Sequence, residues 1–344
     1  MSADAVELLE QVLAGADLSE VEAAWILRSM AEDDLAPALA GGLLIALRCK
    51  GEVASEIRGF AQAMRELARH PDIPAGGRYV DIVGTGGDAS GSLNLSTGSA
   101  LLAAASGLPV VKHGNRSISS RSGSADALEA LGLPVPLDEN QAGLSLAALG
   151  FTFLFAPHYH PAMKSIGPVR GALGVRTVFN ILGPLANPAS PPFHVIGAFS
   201  ADIAELMAQT LSGMDAERSF VVHGAPGWDE ATPVGPFLCF DVRPGIVQRS
   251  IRDPADVGLA RCSAKALLGG KAEENSARLA AALRGEDTAG HRDALILGAA
   301  LALEVTGTEP DAEKAVERAR QTLIDGSGAE FLQRLQAFGQ ELRA

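Results

Sequence analysis

The run Tyr79-Val80-Asp81-Ile82-Val83 leads into Gly84-Thr85-Gly86-Gly87-Asp88-Ala89-Ser90-Gly91, and Ser92-Leu93-Asn94-Leu95-Ser96-Thr97 then opens a helical stretch. Strand, glycine-rich turn and helix in that order predict a β-α-β beginning, and hence an α/β sheet. Four glycines in eight positions let backbone N–H groups converge on an anion, and the helix start adds the positive end of its dipole. A tight turn alone would use one or two glycines, so the loop reads as a phosphate cradle.

Two common phosphate ligands fit poorly. Gly84-x-Gly86-x-x-Ala89 meets the loose dinucleotide pattern, but no Asp or Glu occurs between Asp88 and Asp126 to hold a ribose. No Gly-Lys-Ser/Thr closes the loop, which excludes a Walker nucleotide site. Asp88 would repel phosphate unless it meets ribose hydroxyls, a backbone turn or a metal ion, so a phosphorylated sugar with Mg²⁺ suits the loop best.

Outward from the loop, β-branched runs alternate with helical stretches: Pro109-Val111, Phe151-Phe155, His194-Phe199 and Ser219-His223 as strands, with Pro236-Asp241 and Ile246-Ile251 as a hairpin. The expected domain is a central, mostly parallel sheet flanked by helices, closed by three or four helices from Glu273. Upstream, Ala5 to Arg69 shows helical spacing, with Ser19-x-x-Glu22 as a capping box and Pro37 near a helix start. His70-Pro71-Asp72-Ile73-Pro74-Ala75-Gly76-Gly77 breaks that pattern. Residues 161 to 192, with two short helices and six prolines, interrupt the sheet alternation. The expectation is a small all-helical domain, 1–72, completed by about 161–192, and a large α/β domain from 73–160 and 193–344, with a cleft between them.

The chain has 344 residues, 47% apolar but only 5% aromatic, and 41 acidic against 28 basic side chains, a net charge of −13. Such a charge repels polyanions, so a nucleic-acid partner is not expected. Cys49, Cys239 and Cys262 form neither a disulfide framework nor a metal clip. Asp4 and Glu7 stand where a secretory signal carries cations, and no long apolar span occurs, so a cytoplasmic protein without membrane contact is expected.

Two further segments carry chemistry. Lys112-His113-Gly114-Asn115-Arg116-Ser117-Ile118-Ser119-Ser120-Arg121-Ser122-Gly123-Ser124 concentrates three cations and five serines, suited to phosphate or pyrophosphate. His223-Gly224-Ala225-Pro226-Gly227-Trp228-Asp229-Glu230 places adjacent carboxylates after a strand, and these are Mg²⁺ candidates.

With Gly84-Thr85-Gly86-Gly87-Asp88, Asn94-x-Ser96-Thr97, Lys112-His113-Gly114-Asn115-Arg116, His160-Pro161-Ala162-Met163, Pro168-Val169-Arg170, Leu173-Gly174-x-Arg176-Thr177 and Phe179-Asn180-x-Leu182-Gly183-Pro184-Leu185-x-Asn187-Pro188, the chain resembles the anthranilate phosphoribosyltransferases over nearly its whole length. The resemblance implies transfer of a phosphoribosyl group from phosphoribosyl pyrophosphate to anthranilate, with Mg²⁺, in a homodimer formed through the helical domain. It implies that Gly84, Gly87, Asp88, Ser92, Asn94, Leu95, Ser96, Thr97, Lys112, Asn115, Ser120 and Ser124 contact phosphoribosyl pyrophosphate. Gly84, His113, Asn115, His160, Arg170 and Pro184 would contact or line the path of anthranilate, and Ser96, Asp229 and Glu230 would hold the metal. No residue is expected to be an obligatory general base, because an aromatic amine is already neutral at pH 7. Ala89 replaces a glycine usual in the family, Ser92-Leu93 replace Thr-Phe, and Trp228 and Ala231-Thr232 flank the acidic pair where Leu and Ile-Ser are usual. The alternatives are a pyrimidine-nucleoside phosphorylase, which shares this kind of fold, and a non-catalytic binding relative.

Overall fold

The structure, a computed structural model, describes residues 4–116 and 122–344. Its strands are β1 (Val80–Gly84), β2 (Val110–Gly114), β3 (Phe151–Phe155), β4 (Phe193–Gly197), β5 (Arg218–His223), β6 (Phe237–Arg243) and β7 (Ile246–Arg252). They form one sheet in the order β3-β2-β1-β4-β5-β6-β7. The first five run parallel, and the last two form the antiparallel hairpin. Strands covered on both faces are buried throughout: β4 is buried along its whole length, His194 included, whereas the edge strand β7 is mostly exposed.

Among the described residues, four helices precede the sheet: α1 (Ala5–Leu13), α2 (Glu20–Ala31), α3 (Pro37–Lys50) and α4 (Ala54–Glu66). The Ser19–Glu22 capping box starts α2, and Pro37 occupies the first turn of α3. The connections between strands carry α5 (Leu95–Ala105), α6 (Ser124–Leu131), α7 (Glu139–Leu149), α8 (Ala156–Tyr159), α9 (Met163–Leu173), α10 (Phe179–Leu182) and α11 (Ala201–Ser212). The chain closes with α12 (Ala272–Leu283), α13 (Ala289–Val305), α14 (Ala312–Ile324) and α15 (Ser327–Glu341). One apolar core joins a sheet face to α5 and the last four helices. A second joins α1–α4 to Ile166, Phe179, Leu182 and Leu185, to α11, and to Ile196, Val221 and Phe240 on the other face. A mostly parallel sheet flanked by helices and preceded by a helical bundle is thus the observed architecture. No helix among the described residues is long and apolar enough to cross a membrane.

One strand boundary needs correction. The short run Pro109-Val111 continues to Gly114, paired with β3 from Val110↔Phe151 to Gly114↔Phe155. Lys112 and His113 therefore belong to the strand itself and are buried, rather than following it. Their polar atoms find partners inside the protein, which a reading of charge as exposure does not anticipate.

The topology fixes where a ligand can sit. From β1 the chain moves outward to β2 and β3, then returns to the other side of β1 as β4, so a crevice opens at the carboxyl ends of β1 and β4. The glycine loop, the end of β2 and the Asp229-Glu230 segment after β5 all lie at that edge.

Candidate active site

The glycine loop is tied to the sheet and to the acidic pair. Thr85 N–H donates to the Gly197 carbonyl at 2.9 Å, and Gly86 N–H donates to Asp229 Oδ2 at 2.6 Å. Asp88 closes a turn by accepting from the Ser90 N–H at 3.1 Å and the Ser90 hydroxyl at 3.0 Å. Its other oxygen accepts from Asp229 N–H at 3.3 Å. Of the partners that would let an aspartate sit in an anion loop, the backbone turn is thus present. Glu230 accepts from the Ser96 N–H at 2.9 Å and the Ser92 hydroxyl at 3.4 Å, which joins the acidic pair to the start of α5. Glycine at 84 is required by this contact: an added Cβ would lie 2.3 Å from Asp229 Oδ2.

Three carboxylates crowd here. Burial, and then the charge and hydrogen bonding of Asp88, push Asp229 up to about 7. Burial followed by the charges of Asp229 and Asp88 raises Glu230 well above the ordinary range. A carboxyl raised in the fold binds more protons than the unfolded chain, so its stabilising contribution is complete below about pH 4 and is lost as pH rises towards 7. Asp229→Asn should therefore stabilise the metal-free protein above pH 7, by on the order of 2 kcal/mol, and give no gain at pH 4. Thermal midpoints of both proteins at the two pH values test this, and an equal difference at both would refute the crowding.

Lys112 is buried beneath the loop, its ammonium donating to the Ile82 carbonyl and to Ser96 Oγ at 3.4 Å. Burial lowers its pKa, opposed by the charges of Asp81, Glu230 and Asp229. Asp81 occupies a gap in the sheet. β1 and β2 pair at Val80↔Val110, and beyond that point the Asp81 carboxylate accepts from His113 N–H at 3.3 Å and Asn187 Nδ2 at 2.8 Å. The Asn187 amide also donates to the Val111 carbonyl at 2.9 Å. Burial, opposed by Lys112 and these hydrogen bonds, moves Asp81 up to about 6.

The His113 ring has Nδ1 at 3.1 Å from the Gly183 carbonyl and Nε2 at 3.2 Å from His160 Nε2. Burial lowers both histidines, His113 to about 3 and His160 to about 4, so both are neutral near pH 7. Pro184 is buried in the adjoining turn. Asn115 accepts through its carbonyl from Ser124 Oγ at 3.1 Å. The Asn94 amide donates to the Ser122 carbonyl at 3.0 Å and accepts from Asn275 at 2.8 Å. Leu95 and Thr97 are buried in the first turns of α5, the Leu95 side chain within the core. Arg170 stands apart from this group, half-buried over the Phe179 ring at 5.1 Å. Arg116 pairs with Asp126 and Glu129 on α6, so its charge is already answered. Ser120 lies outside the described residues.

No sequence pattern singles out Asp81, Arg176, Asn187 or Asn275 as site residues. Arg176 and Asn187 stood within quoted motifs, but a motif does not say what a side chain touches. Among the described residues, no three His, Cys, Asp or Glu side chains form a metal cage.

Residues 76–329 match the glycosyl transferase family a/b domain, and residues 6–68 match the glycosyl transferase family helical bundle domain. Fold and site thus define the class, a glycosyltransferase built from a helical bundle and an α/β domain. The anthranilate phosphoribosyltransferase of Desulforudis audaxviator is 44% identical over 333 residues, covering 96% of this chain and 95% of its own. That of Chloroflexus aggregans is 44% identical over 330 residues, 96% of each chain. The crystal structure of the Thermus thermophilus enzyme is similar at a TM-score of 0.90 and 43% identity, covering 97% of this chain and 99% of that one. The chain belongs to the anthranilate phosphoribosyltransferase family. The Saccharomyces cerevisiae anthranilate phosphoribosyltransferase in complex with PRPP and Mg shares the fold, with a TM-score of 0.86 at 23% identity over 99% of each chain.

Proposed function

We propose that the crevice at the ends of β1, β2 and β5 binds 5-phosphoribosyl 1-pyrophosphate and transfers its phosphoribosyl group to the amine of anthranilate. The products are pyrophosphate and N-(5-phosphoribosyl)anthranilate, an intermediate of tryptophan biosynthesis. The observation that carries the reading is the junction of the glycine loop with Asp229, Glu230, Ser96 and Lys112 at one sheet edge.

The donor set fits Mg²⁺. Asp229 and Glu230 carry pKa values raised by burial first and then by neighbouring carboxylates, Asp88 acting on Asp229 and both Asp229 and Asp88 on Glu230, and a divalent cation would relieve that cost while keeping waters and taking substrate phosphates. Asp229 and Glu230, with Ser96, would hold it. When bound, Mg²⁺ supplies charge neutralisation for the departing diphosphate. Those loop N–H groups that are not already bonded to Gly197, Asp229 or Asp88 would donate to the same oxygens, and the buried Lys112 amine, donating to the Ile82 carbonyl and Ser96, lies beneath them. Asp88, Ser92, Asn94, Leu95, Thr97, Asn115, Ser120 and Ser124 complete the proposed contacts, Leu95 through its backbone alone.

Attack at the ribose C1 has an oxocarbenium-like transition state, so catalysis rests on positioning and electrostatics. The acceptor amine is neutral and carries a free lone pair, so no side chain must remove a proton before the C–N bond forms and the C–O bond to pyrophosphate breaks; the resulting ammonium loses its proton afterwards. His113 and His160, both neutral, suit lining the path of an aromatic acceptor beside Gly84, Asn115 and Pro184, with Arg170 as the carboxylate partner. The helical bundle completed by residues 161–192 would form one wall of the cleft. Val6, Leu13 and Val21 leave apolar surface on α1 and α2, 55%, 63% and 74% exposed, which supports a homodimer through the bundle. The reading carries with it a cytoplasmic enzyme.

Loss of anthranilate fluorescence should require phosphoribosyl pyrophosphate and Mg²⁺ together, with either omission abolishing it. Turnover of thymidine with phosphate instead would establish the phosphorylase, and turnover of neither a binding relative.

A further inference from the structure

The connection between α9 and α10 brings a cation to the glycine loop. Arg176 Nη2 donates to the Gly87 carbonyl at 2.5 Å, and the guanidinium lies over the Phe199 ring at 4.5 Å. Its backbone belongs to the other side of the cleft: Arg48 Nη1 on α3 donates to the Arg176 carbonyl at 2.7 Å. Among the described residues no carboxylate pairs with Arg176, whereas Arg28, Arg58, Arg78 and Arg116 all have acidic partners. The loop is fastened to the α/β side before and after its apex. Thr85 is held by Gly197 and Phe199, and the Gly91 carbonyl accepts from Gly269 N–H at 2.9 Å. The Gly87 carbonyl between them is held from the helical side. Gly87 has φ +79°, and an added Cβ would lie 2.9 Å from Arg176 Nη2, so guanidinium and loop apex fit closely.

We propose that Arg176 is a positioning residue that ties the apex of the glycine loop to the helical side of the cleft, holding the loop in its diphosphate-binding shape. The inference rests on the reading of this loop as the diphosphate cradle. A loop already ordered loses less freedom on binding, so the contact acts on affinity for the phosphorylated sugar. It is made equally before and during the chemical step, so it should move KM and spare kcat. Stacking on Phe199 uses the planar guanidinium, but the hydrogen bond needs only a donor.

Arg176→Met removes the donor at similar length, and Arg176→Lys keeps one. In the substrate-free protein, Arg176→Met should speed amide hydrogen exchange across residues 85–91 about tenfold, with β1 unchanged. It should raise KM for phosphoribosyl pyrophosphate by about tenfold, with kcat and the anthranilate KM within about twofold. Arg176→Lys should keep exchange and KM within about threefold of the parent. Unchanged exchange, faster exchange with unchanged KM, or a fall in kcat at constant KM would each overturn the proposal. Exchange is read without substrate, so a parent protein that fails to consume anthranilate refutes the functional reading separately.

Discussion

Replacing Asp229 and Glu230 together by alanine is expected to lower kcat/KM for phosphoribosyl pyrophosphate by about 10²–10³-fold, the loss found when a principal electrostatic stabiliser of a developing anion is removed. The pair is held by the Gly86 and Ser96 N–H groups, so both carboxylates are fixed before any ligand arrives. Burial, and then repulsion among Asp88, Asp229 and Glu230, make this arrangement unfavourable without a cation. The double variant should consequently be no less heat-stable than the parent in the absence of metal, which separates lost chemistry from lost fold. Mg²⁺ titrations of activity provide the measurement. A parent-like titration curve would remove both residues from the metal site.

The second large effect concerns Arg170. Its guanidinium is half-buried over Phe179, and no carboxylate among the described residues pairs with it. Burial holds its pKa below the usual value. A cation left partly desolvated in this way favours an anionic ligand, and the planar fork suits a carboxylate. Arg170→Ala should reduce kcat/KM for anthranilate by about 10- to 150-fold, corresponding to roughly 1.5–3 kcal/mol for a charged hydrogen bond. Affinity for phosphoribosyl pyrophosphate should stay within about twofold. Equal losses for both substrates would instead make Arg170 part of the scaffold.

What was legible in the sequence follows from how local each signal is. Strand periodicity and the glycine spacing around residues 79–97 are short-range patterns, and they identify β1, its loop and α5 directly. The Ser19–Glu22 cap is equally local. The extension of β2 through Lys112 and His113 depends on partners remote in sequence: Ile82, Asp81, Gly183 and His160. Charged residues read as solvated until those partners are known. Asp81 illustrates the same limit, since a carboxylate inside an apolar strand acquires its meaning only where β1 and β2 separate and Asn187 enters between them. Arg176 and Gly87 are 89 positions apart, a distance over which residue spacing carries no geometric information. The departure at Ala89 has a local consequence: it adopts φ +56°, a left-handed conformation that glycine enters without strain.

The claim on which the functional reading stands is that the backbone from Gly84 to Gly91 grips a diphosphate next to Asp229 and Glu230. A structure of the protein soaked with phosphoribosyl pyrophosphate and Mg²⁺ tests it most directly. The diphosphate is expected within hydrogen-bonding distance of the loop N–H groups, bridged by the cation to the acidic pair. An empty loop with the diphosphate bound elsewhere would contradict it.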